Sequence, residues 1–271
     1  MTLTPQQIDF YNVFGYLVLR EVFSKNEMRA MSEDFDAVAL ADREGSEFGG
    51  VRRQSIDLQN TDSFGNLFCS DSLYYPLHQL LGDDFIGGGI GGGLFVGDTQ
   101  WHPDVAEVAT QHRIKMGMYL DPVSKDSGCL RVIPGSHMNP LHESLQPLRM
   151  GRLKEALVDG RLLSNIAPAS EADRIELEAW EKRSGVNLDD NDTIFGLDPS
   201  EIPCDYLESS PGDVVLFSQY IFHAAFGGRD GRRMVSTGWF SKPHSDDAVQ
   251  EYQWGDRPRN LHTLRKELNS R

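Results

Sequence analysis

Apolar and polar positions along the chain change period several times, and each change predicts an element. "TPQQIDFYNVFG" has helical spacing, with Thr4 placed as a cap and Pro5 at the first helical position. The run "YLVLREVF" that follows reads as a strand, and "SKNEMRAMSEDFDAVALADREG" as a second helix capped by Ser24. "GGVRRQSIDLQN" keeps neither period and reads as irregular, whereas "SDSLYYPLHQLLG" is helical again. From about Phe85 to Pro134 the apolar runs shorten into "GGGLFVGD", "RIKMGMYLDPV" and "CLRVIPG", strands parted by turn residues. Helical spacing returns between 138 and about 200 in "SLQPLRMGRLKEALVDGRLLSNI" and "SEADRIELEAWEKRSG", followed by the acidic, irregular "NLDDNDTIFGLDPSEIP". Strands resume with "GDVVLFSQYIFHAAF" and "RRMVSTGWFSK". The pattern predicts an interrupted β core with helices packed outside it, within a single domain over residues 1–271. The mostly helical insertion at about 138–200 is too polar for a core and suits a lid or binding loop.

Composition narrows the partners. Lys and Arg total 26 against 41 Asp and Glu, a net charge of −15 that repels phosphate backbones and argues against nucleic acid. No window approaches the ~20 apolar residues of a membrane helix, so no membrane partner is expected. The amino-terminal segment lacks the charged and apolar regions of a signal peptide. Cys69, Cys129 and Cys204 are too scattered for a disulfide framework or a zinc knuckle, which points to a reducing compartment, the cytoplasm. Oligomeric state is not legible. The run "GGGIGG", Gly87 to Gly92, matches the spacing of a dinucleotide fingerprint, but strand-like residues follow where a helix is required. These glycines are better read as places where a strand bends or another backbone comes close.

The chemistry starts at "FVGDTQWHPDV". In an extended segment residues i and i+2 share a face, so His102 and Asp104 present an imidazole nitrogen and a carboxylate oxygen together. Two ligands hold a metal poorly. Among the other histidines His223 is the best placed for a third, between the β runs "DVVLFSQYIF" and "RRMVS". Two histidines and one carboxylate form the facial triad used for non-haem Fe(II). Taken alone, H-x-D reads more readily as a turn with a capping aspartate. Arg232 and Arg233, nine and ten residues past His223, add weight, because a planar guanidinium behind the metal suits a dicarboxylate cosubstrate.

Four ordered motifs then resemble the phytanoyl-CoA dioxygenase family of iron- and 2-oxoglutarate-dependent oxygenases: "WHPD", "YLDPVSKDSGCLRVIPGSH", "PGDVVLFSQYIFH" and "RRMVS". "LTPQQIDFYNVFGYLVLREVFS" is similar to the family's amino-terminal helix and strand, so the likeness spans nearly the whole chain. The resemblance implies a mainly β protein with flanking helices around a double-stranded β-helix, the cupin-like jelly roll. It also implies His102, Asp104 and His223 as iron ligands, and Arg232 as partner of the distal 2-oxoglutarate carboxylate, with Arg233 as fallback. His137, in P-G-S-H, falls to turn packing rather than ligation.

The family often has glycine-serine after the distal histidine, and Ala224 and Ala225 stand there instead. Tyr119, on one face with Lys115 and Gly117, is the candidate to compensate for the missing hydroxyl. The implied cofactors are Fe(II), 2-oxoglutarate and O2, with ascorbate as a stimulating reductant. Because Asp104 keeps the carboxylate ligand, hydroxylation of a small metabolite is expected over halogenation. Gln100, beside the ligand motif and on the face of His102, leads the substrate-contact candidates, followed by Trp239 and by Arg52 and Arg53. The rival reading is a non-redox cupin, a binding module or isomerase holding Zn²⁺ or Ni²⁺, which needs the three ligands but not Arg232.

Overall fold

A computed structural model describes residues 1–50, 53–65, 67, 70–159, 169–186, 188, 194–241 and 262–264. The strands, in chain order, are β1 (Tyr16–Leu19), β2 (Gln54–Asp57), β3 (Phe85–Gly87), β4 (Gly91–Phe95), β5 (Thr99–His102), β6 (Arg113–Tyr119), β7 (Leu130–Val132), β8 (Asp205–Leu207), β9 (Val214–Ser218), β10 (His223–Ala225), β11 (Arg232–Ser241) and β12 (His262–Leu264). The helices are α1 (Pro5–Phe14), α2 (Lys25–Asp42), α3 (Asp62–Gly65), α4 (Asp71–Leu81), α5 (Leu141–Ser144), α6 (Gln146–Asp159) and α7 (Glu171–Ser184).

Local chemistry sets the helix starts. Thr4 with Gln7, Ser24 with Glu27 and Ser170 with Asp173 each form a capping box, in which side chain and backbone satisfy one another's free donors. α2 buries Met28, Met31, Phe35 and Ala39 along one stripe, and α4 buries Leu73, Tyr74, Leu77 and Leu81. Both stripes pack into one core with Ile114, Met116 and Met118 of β6 and with Val235 and Trp239 of β11. Alternation along β6 and β11 therefore sends the even residues of β6 and the odd residues of β11 toward the helices.

The opposite faces turn inward. The larger sheet runs β1-β9-β6-β11-β3-β12, with β4 bridging β11 and β2, and the smaller runs β5-β10-β7-β8; all pairings are antiparallel. Val215 and Phe217 of the large sheet pack against Leu130, Val132 and Leu207 of the small one, closing one end of the sandwich. This is the jelly-roll arrangement expected from the sequence. One element differs: the stretch read as irregular contains β2, which finds its order only by pairing with β4. Four residues with a single buried side chain, Ile56, give no periodicity to detect. α5, α6 and α7 lie between β7 and β8, where the helical insertion was expected. Among the described residues no helix is long and apolar enough to cross a membrane.

The glycine run lies across β3 and β4 with no helix behind it. A Cβ on Gly92 would sit 2.7 Å from Phe35 Cε2 and 2.8 Å from Leu58 Cδ1, so α2 rests directly on this backbone. Gly92→Ala is expected to cost about 1–3 kcal/mol through overpacking. Urea unfolding should show a lower midpoint at unchanged slope.

Candidate metal centre

β5 and β10 are neighbours in the small sheet, and their register puts His223 directly opposite His102. Asp104 follows two residues after His102, past the buried ring of Pro103. The ligand atoms of the three side chains all lie within 4.8 Å of one another. The imidazole centroids are 4.3 Å apart, and His223 Nε2 is 3.9 Å from Asp104 Oδ1.

Each histidine is oriented by its own strand. His102 Nδ1 donates to the Gln100 carbonyl at 2.7 Å, and His223 Nδ1 donates to the Ile221 carbonyl at 3.0 Å. Both Nε2 lone pairs are left facing the cluster, as metal ligation requires. Burial holds both rings neutral, pushing His223 down to about 4 and His102 well below the usual histidine range. Burial pushes the Asp104 carboxyl up, but the Lys115 ammonium and its neighbours outweigh it and hold the group below the usual carboxylate range. Asp104 Oδ2 is buried without a hydrogen-bond partner among the described residues. Two neutral imidazoles and one carboxylate, itself with an orphaned oxygen, fit a divalent cation of the facial-triad kind.

Lys115 had no role assigned in the sequence, yet its Nζ donates to Asp104 Oδ1 at 2.7 Å. Lys115→Met should leave Asp104 as an uncompensated buried anion. The metal-free protein should lose somewhat less than the roughly 3–5 kcal/mol of a fully enclosed pair, because the lysine side chain is 26% exposed. Melting curves with and without Ni(II) check this: the ion should shrink the deficit by taking over the lysine's charge.

Behind the ligands runs a cross-strand row. Arg232 stands opposite Phe95 on the inward face, and Arg53, the residue before β2, stacks on the same ring, with guanidinium carbons 5.3 and 3.5 Å from its centre. Arg232 is 2% exposed, and its Nε and Nη1 have no hydrogen-bond partner among the described residues. Side chains at Gly128 or Gly228 would run into its Nη1, so two glycines make the slot it occupies. Tyr119 shares this inward face, interacts electrostatically with Arg232 and Arg53, and is pushed up to about 12 by burial, which keeps its phenol a donor.

The remaining candidates separate. Arg233, on the outward face, is bound to Asp121 at 2.8 Å, Asp36 at 2.9 Å and Ser32 at 2.6 Å, so the fallback is corrected: its fork is already used in holding α2 to the sheet. Trp239 is seven positions from Arg232 and on the other face, wholly buried in the core under the helices, which corrects its reading as a substrate contact. Gln100 lies on the His102 face of β5 and is half-buried. Arg52 lies outside the described residues. Arg53, given no preference over a solvated loop in the sequence, lies inward against the Phe95 ring. His137 takes its packing place, with Nε2 3.2 Å from the Asn12 carbonyl.

Two further residues were not legible. Arg152 of α6 interacts with Asp104, His102 and His223, and burial pushes its guanidinium down to about 10. His142 is 2% exposed, with Nδ1 3.0 Å from the Ser136 and Tyr220 carbonyls and Nε2 2.9 Å from that of Ala106. It thereby ties the loop after Asp104 to the turn before His223. No motif marks it, because its partners are backbone.

Comparison with known proteins agrees with this geometry. The phytanoyl-CoA dioxygenase (PhyH) family signature matches residues 11–234. No curated protein sequence matches. Among solved structures, HygX from Streptomyces hygroscopicus with nickel and 2-oxoglutarate bound is 15% identical over 90% of this chain and 88% of its own, at a TM-score of 0.57. The epimerase SnoN from nogalamycin biosynthesis, solved with Fe3+, α-ketoglutarate and nogalamycin RO, is 15% identical over 93% of this chain and 91% of its own, at a TM-score of 0.55. The α-ketoglutarate-dependent carbocyclase SnoK, also from nogalamycin biosynthesis, is 17% identical over 97% of this chain and 96% of its own, at 0.59. At such identities the structures show a shared fold, and the family signature over most of the chain settles kinship: this protein belongs to the phytanoyl-CoA dioxygenase family.

Proposed function

We propose that the chain, acting as one catalytic unit over 1–271, is an Fe(II)- and 2-oxoglutarate-dependent dioxygenase that hydroxylates an unactivated C–H bond of a small metabolite. The observation that carries this reading is the pairing of three converging donors with the buried guanidinium of Arg232, whose Nε and Nη1 have no hydrogen-bond partner among the described residues. Bound there, Fe(II) with 2-oxoglutarate and O2 supplies oxidation of a C–H to an alcohol, coupled to release of succinate and CO2. His102, Asp104 and His223 hold the ion. Arg232 takes the distal carboxylate of 2-oxoglutarate in its fork, while Arg53 and Phe95 fix the row in which that fork stands. Tyr119 donates from the inward face of β6, where Ala224 and Ala225 offer no hydroxyl. Leu130, Val132, Val215 and Phe217 keep water from the closed end. The free thiols of Cys129 and Cys204 support the cytoplasm as its compartment.

The test is succinate release from anaerobically purified protein supplied with Fe(II), 2-oxoglutarate, ascorbate and O2, repeated over a metabolite panel. Stimulated succinate with a product one oxygen heavier supports hydroxylation. A product isomeric with its substrate, or lighter by two hydrogens, keeps the oxygenase and replaces the hydroxylase. Zn²⁺ or Ni²⁺ bound with no affinity for 2-oxoglutarate supports the non-redox cupin instead.

A further inference from the structure

Two guanidinium groups meet at the Phe95 ring, and the distal carboxylate of 2-oxoglutarate needs only one of them. Extending the β2–β4 register by one pair puts Arg53 opposite Phe95, so an inward row reads Arg53, Phe95, Arg232 across three strands. The two side chains leave this row in different directions. Arg232 reaches the slot at Gly128 and Gly228, in the loops that precede β7 and β11. Arg53 lies on the ring, its guanidinium carbon 3.5 Å from the centre, and turns along β4 instead. A Cβ on Gly93 would stand 3.3 Å from its Nη2 and 3.4 Å from its Nε. Gly93 is the next inward position of β4 after Phe95, so the absence of a side chain there makes room for the fork.

Among the described residues Arg53 has neither a hydrogen bond nor an ion pair, and its Nε is buried. Burial, and then the charge of Arg232, push it down to about 9, which leaves it a cation at neutral pH. A cation held between a ring and bare backbone has lost water and gained no counter-charge, so a ligand that brings an anion recovers the loss. The wall beyond it is open. The next inward row reads Gly91, Ser236, Gly117 across β4, β11 and β6. Met234 Cε fills the space over Gly117, 2.9 Å from the Cβ position, whereas a Cβ on Gly91 would meet only backbone oxygens, at 3.8 and 4.0 Å. Ser236 is half-buried, and its hydroxyl has no hydrogen-bond partner among the described residues. Gly93 and Ser236 are diagonal neighbours of an antiparallel pair, about 7–8 Å apart. A free fork and a free hydroxyl therefore share one open stretch of the inward wall.

Resting on the dioxygenase reading above, we infer that Arg53 and Ser236 form the primary-substrate site, and that the substrate is a small organic carboxylate bearing a hydroxyl or similar polar group several bonds from the acid. The carboxylate takes the Arg53 fork through two parallel hydrogen bonds, and the polar group meets the Ser236 hydroxyl. A neutral isostere of the acid leaves the guanidinium unpaired. 2-Oxoglutarate stays with Arg232, because the two forks open on different spaces. Arg53 and Ser236 are thus specificity-determining residues, setting which molecules dock rather than how the C–H is oxidised.

The experiment is calorimetry on the whole protein loaded with Ni(II) and saturating 2-oxoglutarate, where no turnover occurs. The probes are hexanoate, 6-hydroxyhexanoate and the primary amides of both. Each acid should bind about tenfold or more tighter than its amide, and the hydroxy acid roughly 2–10-fold tighter than hexanoate. Arg53→Gln should weaken both acids by roughly 10–100-fold, and Arg53→Lys should restore part of the loss. Ser236→Ala should remove the advantage of the hydroxy acid and spare hexanoate. Titrated separately, 2-oxoglutarate should lose less than about tenfold in Arg53→Gln, against about a hundredfold in Arg232→Met. Four results overturn the proposal alone: no acid binding to the loaded wild type, equal binding of acids and amides, acid affinity unchanged in Arg53→Gln, or 2-oxoglutarate lost there as fully as in Arg232→Met. A hydroxy-acid advantage that survives Ser236→Ala overturns the part given to Ser236. Failure of the wild type to take up Ni(II) or 2-oxoglutarate brings down the metal-centre reading, and this proposal with it.

Discussion

Replacing Arg232 by Met is expected to weaken 2-oxoglutarate binding by about a hundredfold, the roughly 3 kcal/mol of a buried, charge-assisted fork. The same substitution should leave the ligand-free protein as stable as wild type or more so. The two effects have opposite sign because Arg232 is 2% exposed, with Nε and Nη1 unsatisfied in the absence of a ligand. A buried cation with two unsatisfied donors is a cost to the fold, and a methionine of similar length fills the slot between Gly128 and Gly228 without that cost. Titration of the Ni(II)-loaded variant with 2-oxoglutarate reads the first effect; melting curves with and without the dicarboxylate read the second. Wild type at a hundred times its dissociation constant should gain about 2.7 kcal/mol from the ligand, and the variant little of it. A variant that melts far below wild type before any ligand is added would assign Arg232 to the fold instead. Arg233→Met should do the reverse, lowering stability and sparing 2-oxoglutarate, since its guanidinium holds Asp121 and Asp36.

That reversal marks how far the sequence reaches. His102 and Asp104 are legible because an extended chain puts i and i+2 on one face. His223 is legible because a strongly β run ends on it, and the register of β10 on β5 then brings it opposite His102. The choice between Arg232 and Arg233 turns on the parity of a strand, which two adjacent arginines hide. Parity along β11 also decides Trp239, since seven residues from Arg232 is the helix side. Lys115 stood in plain view beside Tyr119, but a lysine on an inward strand face is recognised only once its carboxylate partner is located. Arg152 lies in a polar helix whose apolar stripe is short, and Arg53 precedes a strand that exists only through its pairing with β4. Motifs record what the backbone aligns locally. The cationic surroundings are assembled from four separate elements and carry no local signature.

Asp104→Ala should produce the largest single loss. Metal affinity should fall by well over the roughly 10–100-fold that follows removal of an outer partner of a ligand, because the carboxylate itself is gone and the Lys115 ammonium is left facing two imidazoles. Succinate release should fall to background. The sign of the stability change separates ligation from simple burial: without metal, Asp104→Ala strips Lys115 of the oxygen that sits 2.7 Å from its Nζ, and the protein should be destabilised. Adding Lys115→Met removes the stranded charge, so the double variant should recover much of that metal-free stability while remaining unable to bind metal. The cycle therefore predicts strong coupling of the two residues in stability and none that rescues metal affinity. Recovery of metal binding in the double variant would mean that His102 and His223 suffice and that Asp104 serves only to neutralise Lys115.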